Sequence, residues 1–98
     1  MSAPIYLGDE ASAAGYRLAG VRVVVPEEGA EAGALASARG RAPLVLVSAA
    51  VAARIPEASL RAAQAAIAPL TLIVPDLAGV VAVPDVAARL RHQLGLEG

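Results

Sequence analysis

The residues of this sequence that could do chemistry are few. An acidic pair, Asp9-Glu10, follows a short aliphatic run, Ser48 ends another such run, and His92 is the chain's one histidine. The 98 residues include no cysteine, and all eight basic residues are arginine. Thiolate catalysis, cysteine-bound zinc and disulfides are therefore excluded, as are a phosphate-binding lysine and a Schiff base.

The acidic pair follows the first predicted strand, at what would be the ligand-binding carboxyl edge of a doubly wound sheet. Two carboxylates there could hold Mg²⁺, as in phosphate-accepting receiver domains. The third strand, however, is followed by Ser48 rather than by an aspartate that could accept a phosphoryl group, and the chain has no lysine. We therefore expect no metal: Asp9 caps the following helix and Glu10 occupies its electropositive first turn.

Three glycines near the N-terminus, Gly8, Gly15 and Gly20, are not spaced as a dinucleotide-binding fingerprint. The G-x-G-x-x-G motif needs glycine at the position of Glu10, whose carboxylate would also repel a pyrophosphate. We expect Gly8 to permit a tight turn and Gly15 a close approach of helix to sheet, and we expect no cofactor.

Ser48 and His92 do not form a recognisable catalytic pair. No G-x-S-x-G elbow surrounds the serine, which is followed by Ala49-Ala50. The histidine lies beside arginines at the end of a predicted helix, which suits a solvated surface. No base and nucleophile can be paired, so we expect no catalytic residue and no enzymatic activity.

Aliphatic runs alternate with alanine-rich amphipathic stretches along the chain. The aliphatic runs predict strands at residues 5–7, 21–25, 44–47 and 70–74. The last three are almost continuously apolar, which is typical of parallel strands covered on both faces. The amphipathic stretches predict helices at residues 12–19, 28–38, 58–68 and 86–94. Residues 47–55 fit a strand end followed by a short helical turn.

This alternation predicts an α/β protein, a small three-layer sandwich with a parallel sheet and right-handed crossovers. We expect four strands in the order 2-1-3-4, with the first strand near the centre, and a fifth strand if residues 80–83 are extended. The compact α/β body is expected to span residues 1–79. Residues 80–98 would form a mobile C-terminal segment with a helix at residues 85–94.

The composition limits the partners that the chain could bind. Hydrophobic residues make up 57% of the chain, aromatic residues 2%, and the formal net charge is −1. A polyanion would meet no strongly attractive field and no aromatic platform in the last helix, so nucleic acid is not expected. The longest uncharged run, residues 62–75, is shorter than the ~18 apolar residues of a membrane span. With no targeting segment visible, we expect a cytoplasmic protein.

The last predicted helix combines positive charge with apolar surface. Arg89, Arg91 and His92 cluster beside Leu90 and Leu94. Cations are common at the ends of exposed helices, but this mixture also suits docking against a protein partner.

The N-terminal residues carry a more specific pattern. The run Ile5-Tyr6-Leu7-Gly8-Asp9-Glu10, followed by Ala14-Gly15-Tyr16-Arg17-Leu18-Ala19-Gly20-Val21, resembles the F subunit of the V-type and A-type rotary ATPases. That family opens with a strand, an acidic turn and a helix ending G-F-x-L-x-G, and Tyr16 stands where phenylalanine is usual. The aliphatic run 44–47 after Pro43 and the closing residues 91–96 are also similar to the family.

The resemblance implies a non-catalytic subunit of the central stalk. Such a subunit docks on the rotor shaft subunit, contacts other central-stalk subunits and regulates the coupling of ATP hydrolysis or synthesis to ion transport. Its C-terminal helix would reach the catalytic head, and its contact with the membrane would be indirect, through the complex. The residues that we expect to bind partners are Gly8, Asp9, Glu10, Tyr16, Arg17, Arg89, Leu90, Arg91 and Leu94.

One alternative function stays open for a flavodoxin-like or Rossmann-like fold of this size. The chain could be a stand-alone module that senses a small ligand or a nucleotide. Such a module predicts a measurable pocket and thermal stabilisation by nucleotides, since a ligand that binds only the native state stabilises it.

Overall fold

The computed structural model describes residues 3–74 and His92. Strands and helices alternate along this part of the chain, except that two helices separate the third and fourth strands. In chain order the elements are β1 (Ile5–Leu7), α1 (Glu10–Leu18), β2 (Arg22–Val24), α2 (Glu31–Arg39), β3 (Leu44–Ser48), α3 (Ala49–Ala52), α4 (Glu57–Ala65) and β4 (Leu70–Val74).

The four strands form one parallel sheet in the order β2-β1-β3-β4. Tyr6 of β1 lies between Val23 of β2 and Leu46 of β3, and Leu46 in turn lies beside Leu72 of β4. The predicted α/β class and the strand order 2-1-3-4 are confirmed. The candidate fifth strand at residues 80–83 and, apart from the helical His92, the predicted last helix lie outside the described residues.

The sheet is packed on two faces, because successive residues of a strand point to opposite sides. On the face that we call the three-helix face, the strands pack against α2, α3 and α4. The buried residues there are Ile5, Leu7, Leu35, Ala38, Ala42, Val45, Val47, Val51, Ala52, Ile55 and Ala63. On the opposite side, which we call the α1 face, Tyr6 and Leu46 pack against Tyr16, Ala19 and Val21.

The ends of α1 are fixed by its flanking residues. The Asp9 Oδ1 atom accepts a hydrogen bond from the Ser12 backbone N–H at 3.2 Å, and Glu10 places negative charge in the first turn. Gly20, with φ +90°, follows the helix in the left-handed region. The predicted roles of Asp9 and Glu10 are confirmed, and the helix begins at Glu10 rather than at the expected residue 12.

Backbone geometry sets the bounds of α2 and α4. The expected start of α2 at residue 28 is wrong because Gly29 adopts φ +87°, which interrupts a helical backbone, and the helix begins at Glu31. The expected end of α4 at residue 68 is also wrong. The backbone becomes extended at Ala66, with φ −73° and ψ 135°, so the helix ends at Ala65.

Ser48 has the local structural role that its position predicts. Its hydroxyl accepts a hydrogen bond from the Val51 backbone N–H at 3.1 Å and caps the short helix α3. The strand therefore runs through Ser48, one residue beyond the expected end, and the short helical turn within residues 47–55 is confirmed. β2 is shorter than the expected range 21–25, since only Arg22–Val24 pair with β1.

β4 differs from the expected burial. Its apolar sequence predicts coverage on both faces, yet Leu70, Leu72 and Ile73 are 42%, 43% and 41% exposed, whereas residues 45–47 of β3 are buried. β4 lies at one of the two edges of the sheet that the described strands form. Among the described residues, the helix of the α1 face packs toward β1 and β2 and leaves β4 uncovered on that side.

Candidate partner-binding site

The first group of expected partner-binding residues lies where β1 ends. The Gly8 backbone N–H donates a hydrogen bond to the Val24 carbonyl oxygen at 3.2 Å, which ties the carboxyl ends of β1 and β2 together. Asp9 follows and caps α1 through its Oδ1 atom, and the residue is exposed. Gly8 is buried. The turn is therefore built by backbone contacts, with Asp9 and Glu10 on its outer side.

Glu10 and Arg17 form a bidentate ion pair along the exposed side of α1. The two guanidinium nitrogens of Arg17 donate to the two carboxylate oxygens of Glu10 at 2.8 and 3.1 Å. The hydrogen bond from Arg17, and then its charge, lower the pKa of Glu10. The hydrogen bond to Glu10 raises the pKa of Arg17. The exposed surface of α1 therefore carries a negative and a positive side chain that are bonded to each other.

Tyr16 lies on the inner side of the same helix. It is 1% exposed, and its ring stacks on the ring of Tyr6 with the centroids 3.9 Å apart. A Cβ atom at Gly8 would overlap the phenol of Tyr6, so Gly8 leaves room for that ring. Gly8 and Tyr16 therefore build the support of the turn, while Asp9, Glu10 and Arg17 form its exposed surface, which we call the α1 charged surface.

The second group of expected residues belongs to the last predicted helix. Arg89, Leu90, Arg91 and Leu94 lie outside the described residues. Their neighbour His92 is described, and it is helical and exposed. Whether these side chains bind a partner stays a prediction.

A buried carboxylate near the carboxyl edge is a feature that the sequence does not reveal. Glu31, at the start of α2, is 2% exposed. Its Oε1 atom accepts a hydrogen bond from the Gly29 backbone N–H at 2.9 Å, and its Oε2 atom lies 3.6 Å from Arg54 Nη1. These contacts fix the loop before α2 and join it to the turn after α3. The one available signal was the acidic start of the helix, which does not indicate burial.

Two cavities of the described structure are lined by other residues than the candidate chemical groups. The first, of about 290 Å³, lies between α2 and α4 and is lined by Ala32, Leu35, Ala36, Arg39, Ser59, Ala62 and Ala63. The second, of about 420 Å³, is lined by residues 39–43 with Ala68 and Pro69, before β3 and β4 begin. Neither includes Asp9, Glu10 or Ser48, the side chains that would face a ligand at the carboxyl edge.

The exposed leucines of β4 could not be predicted from the sequence either. Leu70 and Leu72 belong to an apolar run of the kind that also forms buried strands, so composition alone does not separate an edge strand from a central one.

No helix within the described residues is long and apolar enough to cross a membrane.

Comparison with known proteins identifies a family for this chain. The model of a protein family described as ATP synthase (F/14-kDa) subunit matches residues 5–91. The match starts at the first residue of β1 and includes the α1 charged surface and all four strands. No curated protein and no solved structure matches the chain.

Proposed function

We propose that this chain, which belongs to the family described as ATP synthase (F/14-kDa) subunit, is a non-catalytic rotor component in the central stalk of a V-type or A-type ATPase. Membership of the family makes it a subunit of a rotary ATPase. The match over residues 5–91 is the observation that carries the proposal.

The packing of the body supports a mechanical role. A subunit that turns with a shaft must transmit force without deforming, and close-packed interiors have low compressibility. Arg39 adds hydrogen bonds between elements. Its Nη1 atom donates to the carbonyl oxygens of Ala63 and Pro69 at 3.0 and 3.2 Å and to Thr71 Oγ1 at 2.6 Å. These bonds join α2 to α4 and to the start of β4.

The structural tasks of the candidate chemical groups support a non-catalytic role. Asp9 caps α1, Ser48 caps α3, and Glu10 is paired with Arg17. Each of these side chains thus has a partner that explains its type and position without a substrate. We therefore assign the chain an accessory role, with the catalytic chemistry in other subunits.

We assign docking on the rotor shaft subunit to the α1 charged surface. The Arg17 and Glu10 side chains are 50% and 66% exposed, so a partner can reach both. Complementary charges on the shaft would fix the orientation and speed the association of the two proteins. Tyr16 and Gly8 beneath the surface hold α1 against the sheet and so position the pair.

A second contact is proposed for the C-terminal segment. Residues 80–98 would reach from the body toward the catalytic head, with Arg89 and Arg91 meeting acidic groups and Leu90 and Leu94 forming the apolar anchor. The subunit would act on the cytoplasmic side, peripheral to the membrane and attached to it through the complex.

Removing residues 85–98 is expected to change the rate of ATP hydrolysis of the assembled complex. An unchanged rate would contradict the regulatory role of the segment.

The experiment that tests the docking surface is a charge exchange. The double variant Glu10→Arg, Arg17→Glu is expected to weaken binding to the purified shaft subunit at least about tenfold, because like charges then face each other across the interface. The matched control is Glu57→Arg, Arg61→Glu, which exchanges another exposed ion pair, on α4. Its binding is expected to be unchanged.

The two proposals fail in different ways. Normal binding by a folded Glu10→Arg, Arg17→Glu variant would move the docking surface elsewhere and leave the rotor role intact. No binding of the unaltered chain to the shaft subunit would contradict the rotor role itself.

A further inference from the structure

The arginines of the described residues fall into two groups. Those that form ion pairs with acidic residues are Arg17, Arg54 and Arg61. The others are Arg22, Arg39 and Arg41, and within the described part of the chain no carboxylate lies at ion-pair distance from them. We call these three residues the amino-edge arginine cluster.

The topology brings this cluster to the edge of the sheet where the strands begin. Arg22 is the first residue of β2, Arg39 is the last residue of α2, and Arg41 lies between α2 and the start of β3. Because the strands are parallel, the helix that leads into β3 must end at their amino ends. The Arg22 Nη2 atom donates to the Arg41 carbonyl oxygen at 3.5 Å, and Arg39 and Arg41 line the same cavity of about 420 Å³. The three side chains therefore belong to one site.

The acidic residues of the described chain lie at the opposite edge. They follow strands or begin helices, and they are Asp9, Glu10, Glu27, Glu28, Glu31 and Glu57. In a parallel sheet both kinds of position lie at the carboxyl edge, as the helix dipole favours. An acidic partner would therefore be repelled at the carboxyl edge and attracted at the amino edge, which orients it.

The guanidinium groups of the cluster keep donors for a ligand. Arg22 and Arg41 are exposed. The Arg41 Nε atom donates to the Ser37 carbonyl oxygen at 3.4 Å, and within the described residues its two Nη atoms make no hydrogen bond. Arg39 uses only Nη1 for its bonds to the described residues. A guanidinium with both Nη atoms available suits bidentate binding of a carboxylate.

We propose that the amino-edge arginine cluster binds the carboxylates of an acidic segment of a partner protein. The cavity beside the arginines has the size of a ligand site, about 300–1,000 Å³. Its remaining lining is small or apolar and consists of Gly40, Ala42, Pro43, Ala68 and Pro69. A peptide can place aliphatic groups against this lining while its carboxylates meet the arginines. A nucleic acid would find no aromatic platform, because Tyr6 and Tyr16 are the chain's only aromatic residues and both are buried.

This site shares no residue with the α1 charged surface and does not depend on the proposed rotor function. Its test adds a hexaglutamate peptide to the full chain and follows the NMR signals of the arginine Nε–H groups. The Arg22 and Arg41 signals are expected to shift, with a Kd below about 1 mM at low ionic strength. The Arg61 signal is expected to stay in place.

A matched pair of variants tests whether the site or the total charge binds the peptide. Arg41→Gln is expected to raise the Kd at least about fivefold, because a bidentate charged contact is lost. Arg61→Gln removes the same charge from the exposed side of α4 and is expected to change the Kd by less than about twofold. Arg39 is left unaltered because it also bonds to Thr71.

Several results would overturn the proposal. Absence of binding, or equal losses for Arg41→Gln and Arg61→Gln, would show that the cluster is not a site for acidic segments. Inorganic phosphate that shifts the same signals at the same concentration would show an anion site without preference for a protein. A shift of the Arg41 signal without peptide, on changing Asp76, Asp85 and Glu97 to their amides, would show that the chain's own acidic residues occupy the cluster.

Discussion

The ring of Tyr6 on β1 stacks on the ring of Tyr16 on α1, with the centroids 3.9 Å apart and the planes 12° from parallel. These are the only two aromatic residues of the chain. Both are buried, so the one stacked pair joins the first helix to a central strand of the sheet. The stack therefore holds the α1 charged surface in place, although neither ring belongs to that surface.

Removing the Tyr16 ring should destabilise the body. Tyr16→Ala is expected to lower the free energy of unfolding by about 3–5 kcal/mol, since truncating a buried aromatic leaves a cavity. Tyr16→Phe keeps the stacked ring and is expected to cost less than about 1.5 kcal/mol. Urea unfolding followed by circular dichroism measures both. Equal losses for the two variants would show that the hydroxyl, not the stack, stabilises this contact.

Gly8→Ala should destabilise the protein through the same pair of rings. The added Cβ atom would overlap the Tyr6 phenol, and overpacking of this kind costs about 1–3 kcal/mol. The loss is expected to shrink in a Tyr6→Leu background, because the ring is then absent. An equal loss in both backgrounds, measured by urea unfolding, would point to backbone strain instead.

A glycine in open space provides the matched control. A Cβ atom at Gly33, within α2, would meet no atom within 4 Å other than its chain neighbours and the backbone of its own helix. Gly33→Ala is expected to raise the free energy of unfolding by about 0.5–1 kcal/mol, because alanine favours the helix.

The ion pair of the α1 charged surface should be visible in acid titration. The hydrogen bond and charge of Arg17 hold the pKa of Glu10 below its usual value. The contribution of the pair to stability is therefore complete above the pKa of an unfolded glutamate, about 4.3, and is lost as the pH falls through the lowered folded pKa. NMR titration of the Glu10 carboxyl group measures it. In Arg17→Ala the pKa should return to the usual range, and an unchanged value would contradict the pairing.

Arg39 should matter more than its equally charged neighbour Arg41. Arg39→Met leaves the buried Thr71 hydroxyl and two carbonyl oxygens without this donor, which is expected to cost about 1–3 kcal/mol. The Arg41 side chain donates to the Ser37 carbonyl oxygen at the exposed surface, so Arg41→Met is expected to change stability by less than about 0.5 kcal/mol. Thermal unfolding of the two variants compares them, and similar losses would contradict the role of Arg39.

The sheet could be predicted from the sequence because its signal is local. Short aliphatic runs, with β4 ending before Pro75, predicted all four strands, and their alternation with helices predicted a parallel sheet. The start of α2 was missed because it depends on the positive φ of Gly29. The acidic residues around this glycine are typical of a helix start and so favoured an earlier one.

The parts that could not be predicted are contacts between residues distant in sequence. The stack of Tyr6 on Tyr16 and the approach of Arg54 to Glu31 arise only once the elements pack together. The exposure of Leu72 depends on the position of β4 at the sheet edge and on which helices cover it. Of the candidate site, the sequence correctly predicted the capping role of Asp9, because a cap is decided within four residues.

The central claim is that this chain is a rotor component of a rotary ATPase, and isolation of the intact complex tests it most directly. The affinity-tagged full chain is expressed in the native organism, and the membranes are solubilised in a mild detergent before purification. The shaft subunit and the catalytic subunits are expected to co-purify with it in a fixed ratio. Crosslinks from the tagged chain are expected to lie on the shaft subunit. Recovery of the chain alone, or with crosslinks confined to the stationary subunits, would contradict the account.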